Sequence, residues 1–361
     1  MQPETLNATP ATGSPAKIRY AGPIWTLVLL APLIAEVLSG STRMSFIFVY
    51  VPETMVWGCG ALLCRELVRR WRGGATSLLL LGLALSIAEE FVIQQTSLAP
   101  LPFPGAHAQY GRLWGVNWVY FLFMLGYESV WVAVVPVTLT ELIFPSRRSQ
   151  PWLRRGGLIT ACSVFAVGCY IAWFTWTQRA LPRKMHVPPY HPPLVAIASG
   201  IAAILLLGIV AYALRAVGRE TAMNSLRPPH TPGATRTIAQ AIAFTAGIAA
   251  FALGCAWFKL IAMVFTPVHS PAWVPMIAGF AGALSTYALF RALSSSAWGD
   301  AQRWAASFGA TMACMSVGYL STAGWTRFDL IGKAILNVLA LVGPLWLGVK
   351  VRRHAAAAEE S

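Results

Sequence analysis

Residues 75–97, ATSLLLLGLALSIAEEFVIQQTS, form a long apolar stretch that carries two adjacent glutamates, Glu89 and Glu90. A run of this length is sufficient for a helix to cross the hydrocarbon core of a bilayer. Charged side chains are costly there, by roughly 2.5–3.5 kcal/mol for Asp, Lys or Arg at mid-bilayer on insertion scales. The stretch therefore predicts a membrane-spanning helix whose acidic side chains face other protein groups rather than lipid.

The composition extends this prediction to the whole chain. Of its 361 residues, 57% are hydrophobic and 11% are charged, and the mean hydropathy is +0.60. Soluble domains carry about a quarter charged residues. We therefore expect an all-α polytopic transmembrane helix bundle of about ten spans, with eight or nine as the alternative. The apolar runs lie near residues 23–43, 46–68, 75–97, 114–143, 156–179, 193–214, 237–265, 271–293, 302–322 and 330–351.

The basic residues predict the orientation of the bundle. Of the 27 lysines and arginines, 19 fall in alternate loops on one side and 7 on the other. Because positively charged loops stay in the cytoplasm, both termini should be cytoplasmic, and we call the opposite side the outer side. The net charge of +14 then reflects topology and attraction to lipid headgroups, and nucleic-acid binding is not expected.

Glutamates are concentrated in the first half of the chain, and no aspartate precedes Asp300. The topology places Glu66 and Glu141 at cytoplasmic helix ends, where neighbouring arginines can pair with them. The other five, in the outer third or near mid-depth, are Glu36, Glu53, Glu89, Glu90 and Glu128. We accordingly divide the chain into a disordered cytoplasmic N-terminus at 1–22, a glutamate-rich four-helix half at 23–145, scaffold helices at 146–351 and a cytoplasmic tail at 352–361.

Helical spacing predicts that these polar groups meet. Ser86, Glu90, Gln94 and Ser97 form one stripe on the third helix, because residues three and four apart share a helix face. We expect three helices to point such groups at a cavity that opens to the outer side, with Glu90 as the active member of its pair. The residues predicted to bind a substrate or ion are Glu36, Glu89, Glu90, Gln94, Glu128 and Lys259.

Lys259, the one basic residue inside a span, has two interpretations. It is either a buried counter-ion for a glutamate or a side chain that reaches the nearby outer surface.

Cofactors and metals are not predicted. His186 and His191 could join Glu53 or Glu90 in a metal site, but their spacing matches no zinc signature. The six cysteines lie in apolar runs and are expected to be core residues rather than disulfides.

Four segments carry a resemblance to known proteins: AEVLSGST (35–42), ALLCRELVRRW (61–71), LLLGLALSIAEEFVIQQ (79–95) and VVPVTLTELIFP (134–145). They resemble an uncharacterised family of bacterial polytopic inner-membrane proteins, which implies that location and brings no activity. The Glu89-Glu90 pair is also weakly similar to intramembrane glutamate proteases of the CAAX-processing type. That family has an arginine where this chain has Gln94, and it has histidines inside two later helices, which this chain lacks.

Three functions remain open from the sequence. A carrier would bind a proton, a cation or a cationic solute at the glutamates. An intramembrane enzyme acting on lipid or peptide would use Glu90 as acid or base. A non-catalytic scaffold would use the glutamates only for packing. The carrier ranks first, and the expected partners are membrane lipids and a small solute or ion.

Overall fold

The computed structural model describes residues 21–100, 110–184, 186–187, 190–215, 236–265, 270–293, 299–320, 322 and 324–359. Within these ranges the chain is helical almost throughout, which confirms the predicted all-α bundle. Its long helices are α1 Ala21–Leu38, α2 Met44–Trp71, α3 Ala75–Ile93, α4 Trp118–Ile143, α5 Arg155–Arg183, α6 Leu194–Ala213, α7 Arg236–Phe265, α8 Trp273–Leu293, α9 Asp300–Val317 and α10 Arg327–Glu359.

Nine of these described helices are long and apolar enough to cross a membrane, and α9 is the exception. Asp300 and Arg303 lie in its first turn, and much of the remainder is small or weakly polar. It is nevertheless buried, because α7, α4 and α10 pack around it. A helix enclosed by other helices does not need an apolar outer surface.

The first four helices form the interior of the bundle. Between 44% and 67% of their most apolar windows is buried, compared with 11% to 28% for the later candidate spans. α3 packs between α4 and α6, and α1 packs against α2. The later helices leave large apolar side chains exposed, such as Leu206, Phe244, Leu284 and Trp346. Such a surface suits lipid on the outside of the bundle.

Each of these four helices contains a π-helical turn, which has i to i+5 hydrogen bonds in place of i to i+4. In α3, for example, the amide of Gln94 donates to the carbonyl of Glu89 at 2.9 Å. The turns lie at Leu33–Leu38 in α1, Thr54–Gly58 in α2, Glu89–Ile93 in α3 and Glu128–Val134 in α4. A fifth occupies Trp176–Lys184 at the end of α5.

The turn in α1 follows from a proline. Pro32 has no amide hydrogen and blocks the usual hydrogen bond to the carbonyl four residues earlier, which is that of Val28. Gly58 of α2 packs directly onto this carbonyl, and a Cβ at position 58 would collide with it. The two helices therefore approach backbone to backbone at this level.

The structure also moves some predicted boundaries. The fourth span begins at Trp118 rather than near residue 114, because a short antiparallel hairpin, β1 Arg112–Leu113 and β2 Val116–Asn117, precedes it. Gly115 makes the turn with a φ of 80°, which glycine adopts readily. α10 continues as a helix to Glu359, through most of the predicted tail. The predicted N-terminal segment lies outside the described residues up to position 20.

Candidate functional site

The π-helical turns bring glutamates from four helices together. Glu36 of α1 lies within electrostatic interaction range of Glu53 of α2 and Glu89 of α3. Glu128 of α4 lies within range of Glu89, Glu90 and Glu36. We call Glu36, Glu53, Glu89, Glu90 and Glu128 the carboxylate cluster. Glu36 is half-buried, and the other four are almost completely enclosed.

Glu90 is held by its own neighbours. The hydroxyl of Thr96 donates to both carboxylate oxygens at 2.8 Å, and that of Ser97 donates to Oε2 at 2.6 Å. Hydrogen bonds to an ionised or buried carboxylate are among the stronger ones in proteins. Both oxygens of Glu90 are therefore occupied within the protein, contrary to our expectation that Glu90 is the free member of the pair.

Glu89 shows the opposite pattern. In the described part of the chain, neither of its carboxylate oxygens has a hydrogen-bond partner, although the side chain is buried. Oε2 of Glu53 and Oε2 of Glu128 share this condition. Buried polar atoms without partners are rare in native proteins and mark positions where a proton, an ion, water or a ligand binds.

The segment that holds Glu90 is itself supported by the hairpin. The amide of Asn117 donates to the carbonyl of Ser97 at 2.9 Å. Arg112 donates to the carbonyls of Leu98 at 2.9 Å and Ala99 at 2.7 Å. Burial lowers the pKa of the Arg112 guanidinium. The hairpin thus fixes the backbone from which Ser97 reaches Glu90.

The turn between α1 and α2 closes the other side of the cluster. The Thr42 hydroxyl donates to Oε1 of Glu53, and the Thr42 amide donates to the Glu36 carbonyl at 2.9 Å. The Ser39 hydroxyl donates to the same carbonyl at 3.0 Å. From α4, the hydroxyl of Tyr127 donates to the carbonyl of Ala35. The sequence SGST at 39–42 therefore forms a compact cap beside two of the glutamates.

Two residues predicted for the site lie elsewhere or contribute differently. Lys259 is exposed on α7, so the structure supports a side chain directed outward rather than a counter-ion for the cluster. Gln94 is half-buried, and its contribution is the backbone bond that closes the π-helical turn at Glu89. The exposed His186 and His191 do not share the buried environment of the glutamates, and His107 and His269 lie outside the described residues.

The sequence interpretation missed a buried lysine. Lys333 of α10 is 3% exposed, and its Nζ donates to the carbonyl of Leu38 at 2.6 Å. Cys314 of α9 lies between Lys333 and Glu36 and interacts with both. The spacing of Asp329, Lys333 and Asn337 by four residues was the available signal, because it predicts one polar helix face.

At the cytoplasmic end, Glu66 and Glu141 pair with arginines, as expected. Arg65 contacts Glu66 and Glu141 at 3.1 Å each, and Arg69 contacts Glu141 at 2.6 Å. Arg65 and Glu66 are completely buried, so their environment is protein rather than headgroup water. The guanidinium of Arg65 also lies over the ring of Trp152, 3.4 Å from its centroid. This network holds the loop after α4 against α2.

Metal binding finds no support among the described residues, where no group of three or more His, Cys, Asp or Glu side chains has the arrangement of a metal site. The carboxylate cluster is thus a group of neighbouring acids rather than a preformed set of metal ligands.

Comparison with known proteins decides the family. A model of an uncharacterized membrane protein family matches residues 26–358, from α1 to α10. The chain belongs to this family. Together with the candidate spans, the family identifies a multi-pass membrane protein whose outer helices contact lipid. No curated protein and no solved structure matches the chain.

Proposed function

We propose that the carboxylate cluster is the proton-binding or cation-binding site of a membrane carrier. The observation that carries this proposal is the meeting of five glutamates from four helices, with oxygens of Glu53, Glu89 and Glu128 left without hydrogen-bond partners. Titratable groups held at such depth and facing the interior of a bundle are typical of ion and proton pathways.

Electrostatics supports the choice of ligand. In the described part of the chain, the ion pairs involve Glu66, Glu141 and Asp300, and none involves a member of the carboxylate cluster. Ionised carboxylates at close range in a medium of low dielectric constant repel one another strongly. The cluster is therefore neutralised by protons or by a bound cation. Because the described residues present no metal-type ligand group, the proton or a cationic solute fits better than a divalent metal.

The π-helical turns support a binding role rather than a packing role. An inserted residue interrupts the regular hydrogen bonds of a helix, and such turns are frequently found at functional sites. Here one lies at or directly after a clustered glutamate in each of α1, α2, α3 and α4. Local irregularity at the same level in four packed helices provides positions where the helices can bend or change register.

The hydrogen-bond pattern makes Glu89 the leading candidate for the exchanging group. Its oxygens have no partners among the described residues, whereas those of Glu90 are satisfied by Thr96 and Ser97. The pattern favours a positioning role for Glu90 and does not favour the alternative in which Glu90 is the acid or base of an enzyme.

The proposal is tested by proton binding. Purified protein in lipid nanodiscs is titrated between about pH 5 and about pH 9, and wild type is compared with Glu89→Gln. We expect the variant to take up about one proton fewer per chain, because a glutamine does not titrate. Asp300→Asn is the control, since Asp300 forms a partly exposed ion pair with Arg148 away from the cluster.

In liposomes with a trapped pH dye and an imposed membrane potential, Glu89→Gln is expected to reduce proton movement by tenfold or more, an order-of-magnitude expectation for loss of an essential group. Identical titration curves and fluxes for wild type and Glu89→Gln, accompanied only by a changed melting temperature, would instead assign the cluster to packing.

A further inference from the structure

We propose that the start of α10 is a latch that holds the turn between α1 and α2 closed over the carboxylate cluster. We call residues 39–45 the outer turn and residues 324–333 the latch. Access to the cluster from the outer side requires release of the outer turn. This inference rests on the proposed function, because closure matters only if the cluster exchanges a proton or cation.

The outer turn is directly bonded to the cluster. Its Thr42 supplies one hydrogen bond to the side chain of Glu53 and another to the backbone of Glu36. Displacement of the turn would therefore remove partners from two glutamates at once. It would leave further carboxylate and carbonyl oxygens to be satisfied by water or by a ligand.

The latch holds the outer turn through several polar contacts. Oδ1 of Asp329 accepts a hydrogen bond from the amide of Ser45 at 2.7 Å. The guanidinium of Arg43 donates to the carbonyl of Gly324 at 3.2 Å and lies over the ring of Trp325, 5.4 Å from its centroid. These contacts bridge residues that are more than 280 positions apart in sequence.

The latch is held rigidly on its own side. Oδ2 of Asp329 accepts hydrogen bonds from the amide and the hydroxyl of Thr326 at 3.1 and 2.8 Å. One turn later, Lys333 donates to the carbonyl of Leu38, the last residue of the π-helical turn in α1. Asp329 and Lys333 therefore grip the two ends of the connection from α1 to α2.

Polar contacts suit a closure that must open. Water can replace each of these hydrogen bonds, so the net cost of breaking one is modest. By contrast, the interior of the first four helices is held by apolar packing, which includes Leu27, Val56 and Val132. Separation along the outer turn is thus easier than separation through the core.

A native cysteine reports on this closure. Cys314 is completely buried, its thiol lies 3.5 Å from the carbonyl of Ile34, and it is a neighbour of Glu36. A membrane-impermeant thiosulfonate reagent added from the outer side reaches Cys314 only when the region around Glu36 opens. In the test protein the other cysteines are replaced by alanine, namely Cys59, Cys64, Cys162, Cys169 and Cys255.

We expect Asp329→Asn and Lys333→Met each to increase the rate of Cys314 modification in lipid vesicles by about tenfold, because each weakens a charge-assisted hydrogen bond that keeps the turn closed. Asp300→Asn is the matched control and should leave the rate unchanged. Folded latch variants, verified by melting temperature, that react no faster than the parent would overturn the proposal.

A lock provides the opposite test if the latch variants fail to fold. The Ser45→Cys and Asp329→Cys double variant joins two positions already in contact, and its disulfide should slow modification of Cys314, read by peptide mass spectrometry, below the parent rate. Reduction should restore the rate, and an unchanged rate in the oxidised protein contradicts the latch. These measurements do not depend on proton binding, so failure of the Glu89 titration and failure of the latch are separate results.

Discussion

Glu89 and Glu90 are adjacent and both buried, yet Glu90 receives hydrogen bonds from two hydroxyl groups and Glu89 receives none among the described residues. The difference arises after the π-helical turn, where the chain leaves the helix and Thr96 and Ser97 fold back toward Glu90. One carboxylate is thus fixed by the fold, and its neighbour is left available.

Glutamine substitutions should separate these two roles. Glu90→Gln should destabilise the protein by about 1–3 kcal/mol, because the amide group cannot accept the hydrogen bonds donated by Thr96 and Ser97. Glu89→Gln should be close to neutral, since it loses no hydrogen bond. Thermal unfolding in detergent measures the order of the two melting temperatures, and a larger loss for Glu89→Gln would contradict the assignment.

Lys259 should be dispensable for proton binding. The side chain is exposed on α7, and a cation that reaches the membrane surface contributes little to a buried site. Lys259→Gln is therefore expected to match wild type in the nanodisc titration and in the liposome flux. A loss comparable to that of Glu89→Gln would mean that Lys259 enters the cluster in another conformation.

The buried arginine at the cytoplasmic end should be important for folding. Arg65→Met leaves the fully buried Glu66 without its closest cationic partner, and breaking a buried ion pair costs about 3–5 kcal/mol. Arg148→Gln is the control, because its partner Asp300 is partly exposed and such pairs contribute about 0–1 kcal/mol. Equal melting temperatures for the two variants would show that the Arg65 network is not structural.

A close backbone contact between α1 and α2 provides a further test. Gly58→Ala places a methyl group on the carbonyl of Val28, and overpacking of this kind costs about 1–3 kcal/mol. Gly343→Ala is the matched change in α10, where nothing lies within 4 Å of the added Cβ. It should be neutral or slightly stabilising because alanine favours helix. The comparison is made by the yield of monodisperse protein and by melting temperature.

The apolar runs were sufficient to predict most helices, because a segment in hydrocarbon must satisfy its backbone hydrogen bonds internally. They were less informative for α9, whose polar residues are sheltered by other helices. The hairpin before α4 was also missed, since two-residue strands have little periodicity to detect.

The prediction that acidic residues from α1, α3 and α4 share one region rested on the cost of exposing carboxylates to lipid. The details within that region were not predictable in the same way. A regular helix turns by about 100° per residue, but each π-helical turn changes this rotation and shifts every later side chain. The choice of Glu90 over Glu89 assumed an uninterrupted helix.

The sequence by itself determined a helical membrane bundle and a set of glutamates that must face protein, because both conclusions follow from the transfer of backbone and charge into hydrocarbon. Only the tertiary structure decided which carboxylate is satisfied, that Lys333 rather than Lys259 is the buried lysine, and that α10 closes over the first hairpin. These features depend on the rotation and packing of helices distant in sequence, which are set by contacts between side chains rather than by the composition of any one segment.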